Sequence, residues 1–466
     1  MRFRFRRSLL ASLALGLPTA ASAQAFGLNE IGSCAVARAF AITASPCQDA
    51  STIYWNPAAA TTLTGWSAIA GVASVSLNGS FDQDTTFRHF DADVPTEYIP
   101  HVFVNYHDST SRWAYGLGVY VPYGLTSEWS DDFPGRFLAL RAHLQTVYVQ
   151  PNVAWKLNSK WSIGGGPIFG HSSVELTQAL DLSSQFADPA HGITFGMLGI
   201  SQGTEFGRAK LNGSATAFGA QIGIWGKPSD KWSVGLRALS PLHFHYDNAD
   251  ASFTQTPTNL VVGGTLPGTP LTAGTPIDAV VAPQFTTGGA LVDQGVSTRV
   301  NHPAQIQLGL AYSGIKDWLL EADYAWGGWE TFKDLPVNFS GPARAASRTL
   351  IEDYNNSSAI RLGAEYTIPT NSWKLRAGFA GVSSAAPAVT VTPLLPEQDR
   401  NYWTLGAGIP FNKMWSVDAS YARVSTPGAR GRITERLSES QTAEQLNTGV
   451  FHLSANVFSI SVKANF

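Results

Sequence analysis

From Trp66 to the end of the chain, apolar and polar side chains alternate in short segments that predict β-strands. Trp373, Leu375 and Phe379 share one face of such a segment, while Lys374 and Arg376 share the other. Successive side chains of a strand point to opposite faces, so this period of two indicates strands with one apolar side. The pattern recurs near residues 66–80, 97–108, 112–124, 141–158, 160–175, 212–227, 231–246, 299–314, 316–331, 352–368, 372–383, 401–411, 413–426 and 451–466.

The connections between these fourteen segments alternate in length. Tight connections are at residues 109–111, 158–160, 227–230, 314–317, 369–371 and 412–413, and long ones at 81–96, 125–140, 176–211, 247–298, 332–351, 384–400 and 427–450. Outer-membrane barrels have an even number of antiparallel strands, short periplasmic turns and long extracellular loops. A soluble β-sandwich has no reason to sort its loops in this way. We therefore predict an all-β transmembrane fold, a 14-stranded antiparallel outer-membrane β-barrel over residues 65–466.

Aromatic residues mark one end of the predicted hairpins. A tryptophan stands just after each of the six tight turns, at Trp113, Trp161, Trp232, Trp318, Trp373 and Trp415. Aromatic girdles flank the apolar band of membrane barrels, where an amphipathic ring is best solvated. The pattern predicts a ring at the periplasmic interface.

Two segments need special treatment. In the last one, Phe458, Ile460 and Val462 share a face with the terminal Phe466, whereas residues 451, 453, 455 and 457 have the opposite phase. A bulge near Val457, or a later strand start, would explain the change. In the seventh segment, the alternation is expected to point two histidines, at positions 243 and 245, into the lumen.

The first 23 residues have the composition of a cleavable export signal. Arg2, Arg4, Arg6 and Arg7 precede the apolar stretch 9–17 and the small residues 21–23, with cleavage after Ala25 as the alternative. The mature chain would have 27 basic and 34 acidic residues, a net charge of −7. That balance disfavours nucleic acid as a partner, because such proteins carry a basic stripe.

Composition agrees with a barrel. Charged residues are only 14% of the chain, while Gly (44), Trp (14), Tyr (14) and Phe (25) are abundant. After the signal, no apolar run approaches the roughly 20 residues of a spanning helix. We expect a bacterial outer-membrane location.

Residues 24–64 are predicted to form an N-terminal hatch that plugs the barrel. Fourteen closed strands leave an interior wider than side chains can fill, because about eight strands is near that limit. No other stretch of the chain is left to block it. Cys34 and Cys47 predict a disulfide in an oxidising compartment, worth about 3 kcal/mol by chain entropy. Two free buried thiols are the alternative.

Several stretches resemble the FadL family of outer-membrane channels for long-chain fatty acids and aromatic hydrocarbons. They include residues 27–30 and 49–58, the latter ending in Asn56-Pro57-Ala58, together with residues 134–137, 150–155, 318–332, 373–378 and 396–400. The resemblance covers nearly the whole mature chain. It implies a 14-stranded barrel with a hatch, capture of a lipophile between two extracellular loops, a pocket in the upper lumen, and lateral exit through a kinked third strand.

The chain contains residues that suit each step. The apolar residues of the two long loops that we assign to substrate capture are Phe186, Ile193, Phe195, Met197, Leu198, Ile200, Val261, Val262 and Leu266. These loops could also pack on each other as a lid. The lateral-gate strand contains Gly116, Gly118 and Pro122, which weaken strand pairing. Arg348, Arg361 and Arg376 are the candidates for a substrate carboxylate. Because these arginines match the cationic position of the FadL family only weakly, an uncharged substrate stays open.

No catalytic or metal-binding spacing stands out, so we expect no enzyme activity, no metal and no cofactor. The expected partners are outer-membrane lipid and a hydrophobic small molecule, bound by a monomer. Two other function classes stay open at this point. A barrel hydrolase acting on lipids or esters would turn over an ester substrate, and a surface adhesin or receptor would bind a macromolecule without uptake.

Overall fold

The computed structural model describes residues 26–188, 190–265, 271–436 and 438–466. The predicted export signal lies outside the described residues. The barrel strands are β1 Gly65–Gln83, β2 Glu97–His107, β3 Trp113–Glu128, β4 Arg141–Lys156, β5 Trp161–Asp181, β6 Glu205–Ser229, β7 Trp232–Leu239 with Leu242–Gln255, β8 Gln294–His302 with Gln305–Tyr312, β9 Trp318–Gly327, β10 Ser357–Thr367, β11 Lys374–Val382, β12 Arg400–Pro410, β13 Trp415–Ser425 and β14 Gly449–Asn465.

These strands form one closed antiparallel barrel. Each strand is hydrogen-bonded to its neighbours in chain order, and β1 pairs with β14 from Ser67↔Asn465 to Gln83↔Gly449. The predicted 14-stranded barrel is therefore confirmed, with every predicted segment in its place.

The aromatic ring is found where the pattern predicted it. Five of the six predicted tryptophans are exposed at the end of the barrel with the tight turns: Trp113, Trp232, Trp318, Trp373 and Trp415. Trp161 is half-buried, and Trp66, which was not among the six, is also exposed. Several of them pack on an aromatic residue of the next strand, as Trp232 does on Tyr312 with ring centroids 4.6 Å apart. The opposite face of the strands is polar: Glu321, Asp323, Arg376 and Asp418 are buried.

Strands β7 and β8 are each interrupted at a proline, after Leu239 and after His302. Proline cannot donate to the strand ladder, and the interruption reverses which residues point inward. Above the break in β7, Phe244 and Tyr246 are buried while His243 and His245 are exposed. The expectation that these two histidines face the lumen is therefore wrong.

Both explanations offered for the phase change in β14 are also wrong: the strand begins at Gly449, earlier than residue 451, and it has no bulge. Its pairing with β1 runs without a register shift over the whole strand. Val457 and Ala455 are buried and simply face the lumen, because the upper lumen is apolar on this side.

The remaining elements are short and lie either in the loops or in the stretch that precedes β1. The helices are α1 Ser33–Ala37, α2 Thr52–Trp55, α3 Ile277–Val281 and α4 Ala443–Leu446. The 3₁₀-helices are Pro57–Thr62, Pro134–Phe137, Leu182–Ser184, Ala282–Phe285, Trp329–Thr331 and Pro342–Ala346. The short strands outside the wall are His89–Asp91, Phe186–Asp188, Ile193–Thr194, Asp334–Phe339, Arg348–Ile351 and Ala429–Gly431. Over the described ranges, no helix combines the length and apolarity needed to cross a bilayer.

Residues 26–64 lie inside the barrel, and we call them the N-terminal segment. Nearly all of them are buried, and they hydrogen-bond to inward side chains around the wall. Ser33 Oγ lies 2.7 Å from Ser459 Oγ of β14, and Thr404 of β12 donates to the Ala37 carbonyl at 3.0 Å. The predicted disulfide between Cys34 and Cys47 is present and closes a loop of this segment.

Candidate functional site

The Asn-Pro-Ala motif fixes the N-terminal segment to the wall. The Asn56 amide donates to the carbonyls of Thr43, at 2.9 Å, and of Ile224 in β6, at 3.0 Å, and its side-chain oxygen caps the 3₁₀-helix that begins at Pro57. Ala58 is fully buried. The wall makes room for this contact at Gly223, where an added Cβ would lie 2.4 Å from the Asn56 side-chain oxygen.

Charged contacts hold the same segment to β9, three strands further along the wall. Arg38 pairs with Glu321 of β9 at 2.5 Å, and both side chains are buried. Asp323, also on β9, accepts hydrogen bonds from the backbone N–H groups of Ile42 (3.0 Å) and Thr43 (2.9 Å). Breaking one partner of a buried pair leaves an uncompensated charge, so these contacts hold the lower part of the segment firmly in place.

The wall is not continuous between β2 and β3. Their pairing ends at His101↔Tyr120, and residues 97–100 of β2 have no partner on β3. Strand β3 has a register shift between Tyr120 and Tyr123, after which β4 is its only partner among the fourteen barrel strands. Above the break the wall closes again, where Ala92 bridges to Trp129. We call this unpaired stretch the side opening.

The first described residues of the chain occupy the free edge of β3. Gly27 bridges to Tyr123, the Leu28 N–H donates to the Pro122 carbonyl at 2.8 Å, and the Gly124 N–H donates to the Phe26 carbonyl at 3.0 Å. Residues 26–28 thus take the position from which β2 is missing. Exposed strand edges recruit such pairing, because their N–H and C=O groups are otherwise unsatisfied.

One polar contact crosses the side opening. Thr126 of β3 donates to the Glu97 carboxylate of β2 at 2.8 Å, and His143 Nδ1 of β4 lies 3.1 Å from the same hydroxyl. We call the first contact the Glu97–Thr126 bridge.

A cavity of about 200 Å³ lies between the N-terminal segment and the side opening. Its lining is mainly apolar and includes Tyr98, which is 64% exposed on the outer wall, so the cavity reaches from the lumen to the membrane-facing surface. We call it the upper-lumen cavity. Its apolar lining residues include Phe26, Leu28, Val75, Leu77, Ile99, Val121, Leu125, Leu144, Leu395, Val424, Ala455 and Val457.

Acidic groups outnumber basic ones in the cavity. Among the described lining residues, Glu30, Glu97 and Glu397 are acidic and Arg400 is the sole lysine or arginine. Arg400 donates to the Glu397 carboxylate at 2.5 Å and also hydrogen-bonds Tyr402. Burial raises the pKa of the Glu30 carboxyl, whose side chain accepts the Asn29 N–H at 2.8 Å.

The three arginines predicted for a substrate carboxylate do not line this cavity. Arg361 is buried beneath the N-terminal segment, where it donates to Asn29 and Phe40. Arg376 donates to Glu365 at 2.7 Å and to Asp418 at 2.6 Å. Arg348 begins the short strand Arg348–Ile351, outside the barrel wall, and donates to the Gln178 side chain at 2.8 Å. Each of the three therefore already has partners within the protein.

The predicted gate residues have two different positions. Pro122 lies at the register shift of β3, and its carbonyl holds Leu28. Gly116 and Gly118 lie lower, in the paired part of the strand, where an added Cβ would meet Ile53 and Phe103, each at 2.5 Å. Close packing explains these two glycines, while the register shift occurs at the proline.

The two long loops meet in a second cleft of about 230 Å³. Phe195, Leu198 and Ile200 of one loop and Val261 and Val262 of the other line it. Phe186 and Met197 are exposed, at 55% and 73%, and Ile193 is half-buried. Leu266 lies outside the described residues. We call this the loop cleft.

Residue-by-residue reading of the sequence missed Glu97, Thr126 and Arg400. Two signals pointed to this region. The run from Pro396 to Arg400 belongs to the resemblance, and β14 turns apolar toward the lumen at Ala455 and Val457, both of which line the upper-lumen cavity. As for metals, the part of the chain that the structure describes holds no cluster of histidine, cysteine and acidic ligands suited to an ion.

Comparison with known proteins places these features in context. A family profile described as "Outer membrane protein transport protein (OMPP1/FadL/TodX)" matches residues 14–466. The "Long-chain fatty acid transport protein" of Salmonella typhi is 26% identical over 431 residues, covering 89% of this chain and 90% of the relative.

Solved structures share the fold. A FadL homologue of Pseudomonas aeruginosa superposes with a TM-score of 0.77 at 20% identity, covering 95% of this chain and all of that one. The toluene transporter TodX of P. putida gives a TM-score of 0.66 at 16% identity, covering 95% of this chain and 99% of that one.

Proposed function

Because this chain belongs to the OMPP1/FadL/TodX family of outer-membrane transport proteins, which are not enzymes, we propose that it is a passive channel for hydrophobic small molecules. It lies in the bacterial outer membrane, carries such molecules inward as a monomer, and releases them sideways through its wall.

The upper-lumen cavity carries this proposal. It is mainly apolar, it touches the first residues of the N-terminal segment, and it extends to the outer wall through the side opening. A hydrophobic molecule in water gains roughly 25 cal/mol for each Å² of apolar surface that it buries. An apolar cavity that reaches the membrane-facing surface lets such a molecule move from the lumen to lipid without returning to water.

We place capture at the loop cleft and release at the side opening. The loop cleft presents apolar side chains at the extracellular end, where a lipophile arrives. Between the two sites, residues 26–28 must move, since their backbone bonds to β3 occupy the free edge. The lower part of the N-terminal segment stays anchored by Asn56 and Arg38.

Uptake by whole cells tests the proposal. Cells that express the chain should take up labelled toluene or oleate faster than cells that lack it. Ala455→Trp, which fills the cavity, should reduce uptake to the level of cells without the chain. Ala70→Trp is the matched control, because Ala70 is exposed on the outer wall of β1.

Both variants should reach the outer membrane in equal amounts and keep the heat-dependent mobility shift of a folded barrel. Equal uptake by cells with and without the chain, for every lipophile tried, would contradict transport. Normal uptake through the Ala455→Trp variant would remove the cavity from the route.

A further inference from the structure

We propose that the upper-lumen cavity selects uncharged hydrophobic molecules and excludes those whose head group is a carboxylate. This inference rests on the proposed transport function and narrows its substrate class. It follows from how the charges of the cavity and of the surrounding lumen are already paired.

Every arginine near the route is committed to a partner. Arg400, inside the cavity, pairs with Glu397 at 2.5 Å and also hydrogen-bonds Tyr402. Below it, Arg376 is shared by two carboxylates, and Arg361 lies under the N-terminal segment against the rings of Phe40 and Trp55. At Arg400 or Arg376, a carboxylate head group would have to displace an acidic partner and leave that buried acid uncompensated. Arg361 has neutral partners, but the N-terminal segment covers it.

The remaining charge in the cavity repels an anion. Glu97 stands at the side opening, with the Thr126 hydroxyl as its donor. Glu30, at the other side of the cavity, is a buried carboxyl on the N-terminal segment; burial raises its pKa, so Glu97 supplies most of the repulsion. An arriving carboxylate would leave water for an apolar space bordered by acids, which is the costly direction for a charge.

An uncharged molecule meets none of these penalties. Apolar side chains make up most of the lining, and the space of about 200 Å³ is larger than an engineered apolar cavity of about 150 Å³ that binds benzene. The carboxylates of Glu97 and Glu397 are acceptors, so a hydroxyl group could still donate to them. The cavity thus suits a hydrocarbon, a small aromatic compound or an alcohol.

Ligand pairs that differ only in the head group test the inference. Purified protein in amphipol is loaded with N-phenyl-1-naphthylamine, an uncharged fluorescent probe, and titrated with decan-1-ol or with decanoate at about pH 8. We expect the alcohol to displace the probe at a concentration at least tenfold lower. At about pH 4, where a carboxylic acid is largely neutral, decanoic acid should approach the alcohol.

Two variants locate the selectivity. Glu397→Gln removes the carboxylate that pairs with Arg400 and should strengthen decanoate binding at least threefold at pH 8, with little change for decanol. Glu97→Gln removes the acid at the side opening and should act in the same direction without touching the Arg400 pair. Glu205→Gln is the matched control, because Glu205 pairs with Arg136 and Arg208 in the extracellular region and should leave the ratio unchanged.

The outcomes separate this inference from the proposed function. If wild-type protein binds decanoate at pH 8 as tightly as decanol, the selectivity is refuted while the channel stands. If neither the probe nor either ligand binds, and cells show no uptake, transport itself is refuted. Tighter decanoate binding by the Glu205→Gln control would show that the effect is not local to the cavity, which also overturns the inference.

Discussion

The Glu97–Thr126 bridge should limit how often the side opening admits a molecule. Backbone pairing between β2 and β3 is missing over this stretch, so the hydrogen bond at 2.8 Å is the direct tie between the two edges. Thr126→Val removes the hydroxyl and keeps the size of the side chain. A hydrogen bond to a charged group contributes about 1.5–3 kcal/mol when buried.

Partial exposure of Glu97 reduces this value, because water can replace the lost donor. We therefore assign about 1 kcal/mol to the Glu97–Thr126 bridge. Its loss corresponds to about a fivefold larger population of the state in which the side opening is open. The initial rate of labelled toluene uptake should therefore rise by up to fivefold in cells with equal surface amounts of protein. Thr96→Val is the control: it removes a hydroxyl that bonds Ser76 at 3.1 Å, on the neighbouring, fully paired side of β2.

Cross-linking provides the opposite perturbation. In a Glu97→Cys/Thr126→Cys protein, a short bifunctional thiol reagent should join the two edges and bring uptake down to background. The native cysteines do not react, since both are in the disulfide. The same treatment of a Ser76→Cys/Thr96→Cys protein should leave uptake unchanged. Full uptake through a barrel joined at positions 97 and 126 would refute release between β2 and β3.

Three further predictions concern the N-terminal segment and the extracellular end. Asn56→Ala loses three side-chain hydrogen bonds, to Thr43, Ile224 and Ala58, and should destabilise the segment by about 1–3 kcal/mol. Small-ion conductance in planar bilayers should rise while the barrel still assembles, and unchanged conductance would count against its anchoring role. Cys34→Ser/Cys47→Ser should loosen the same segment by about 3 kcal/mol, detected as faster proteolysis of the segment in an intact barrel; equal rates would contradict this. Burial raises the pKa of Glu352 to about 8, with Arg432 opposing the shift. Since the folded state holds this proton more tightly, its contribution to stability is full below about pH 4.5 and is lost as the pH rises to about 8. Glu352→Gln should therefore reduce the dependence of the melting temperature on pH over that range. The same pH dependence in the variant and the wild type would refute the prediction.

The architecture was predictable because its signals are local. Alternation, turn length and the tryptophans after each turn are properties of neighbouring residues, and they fix the strand number and which way the wall faces the membrane. The disulfide was predictable for a similar reason, since the chain has two cysteines and is exported.

The errors arose where distant residues decide the geometry. The prolines in β7 and β8 reverse the phase of a strand whose alternation looks regular, which moved His243 and His245 outward. The β14 residue Val457 suggested a bulge because an apolar lumen was not expected. The pairing of Glu97 with Thr126 and the charge of the upper-lumen cavity depend on separate strands meeting, and no short motif encodes that.

The placement of the N-terminal segment constrains how the molecule is made. This segment binds Ser459 of β14, the last strand to be synthesised, and Ile224 of β6 near the middle of the chain. A folded, disulfide-closed segment cannot enter a closed barrel. It must therefore be in place before β1 and β14 pair and close the wall. The strands can then assemble around the folded segment. Its contacts with β6 and β14 hold distant parts of the chain together, which lowers the entropy cost of pairing β1 with β14 in one step.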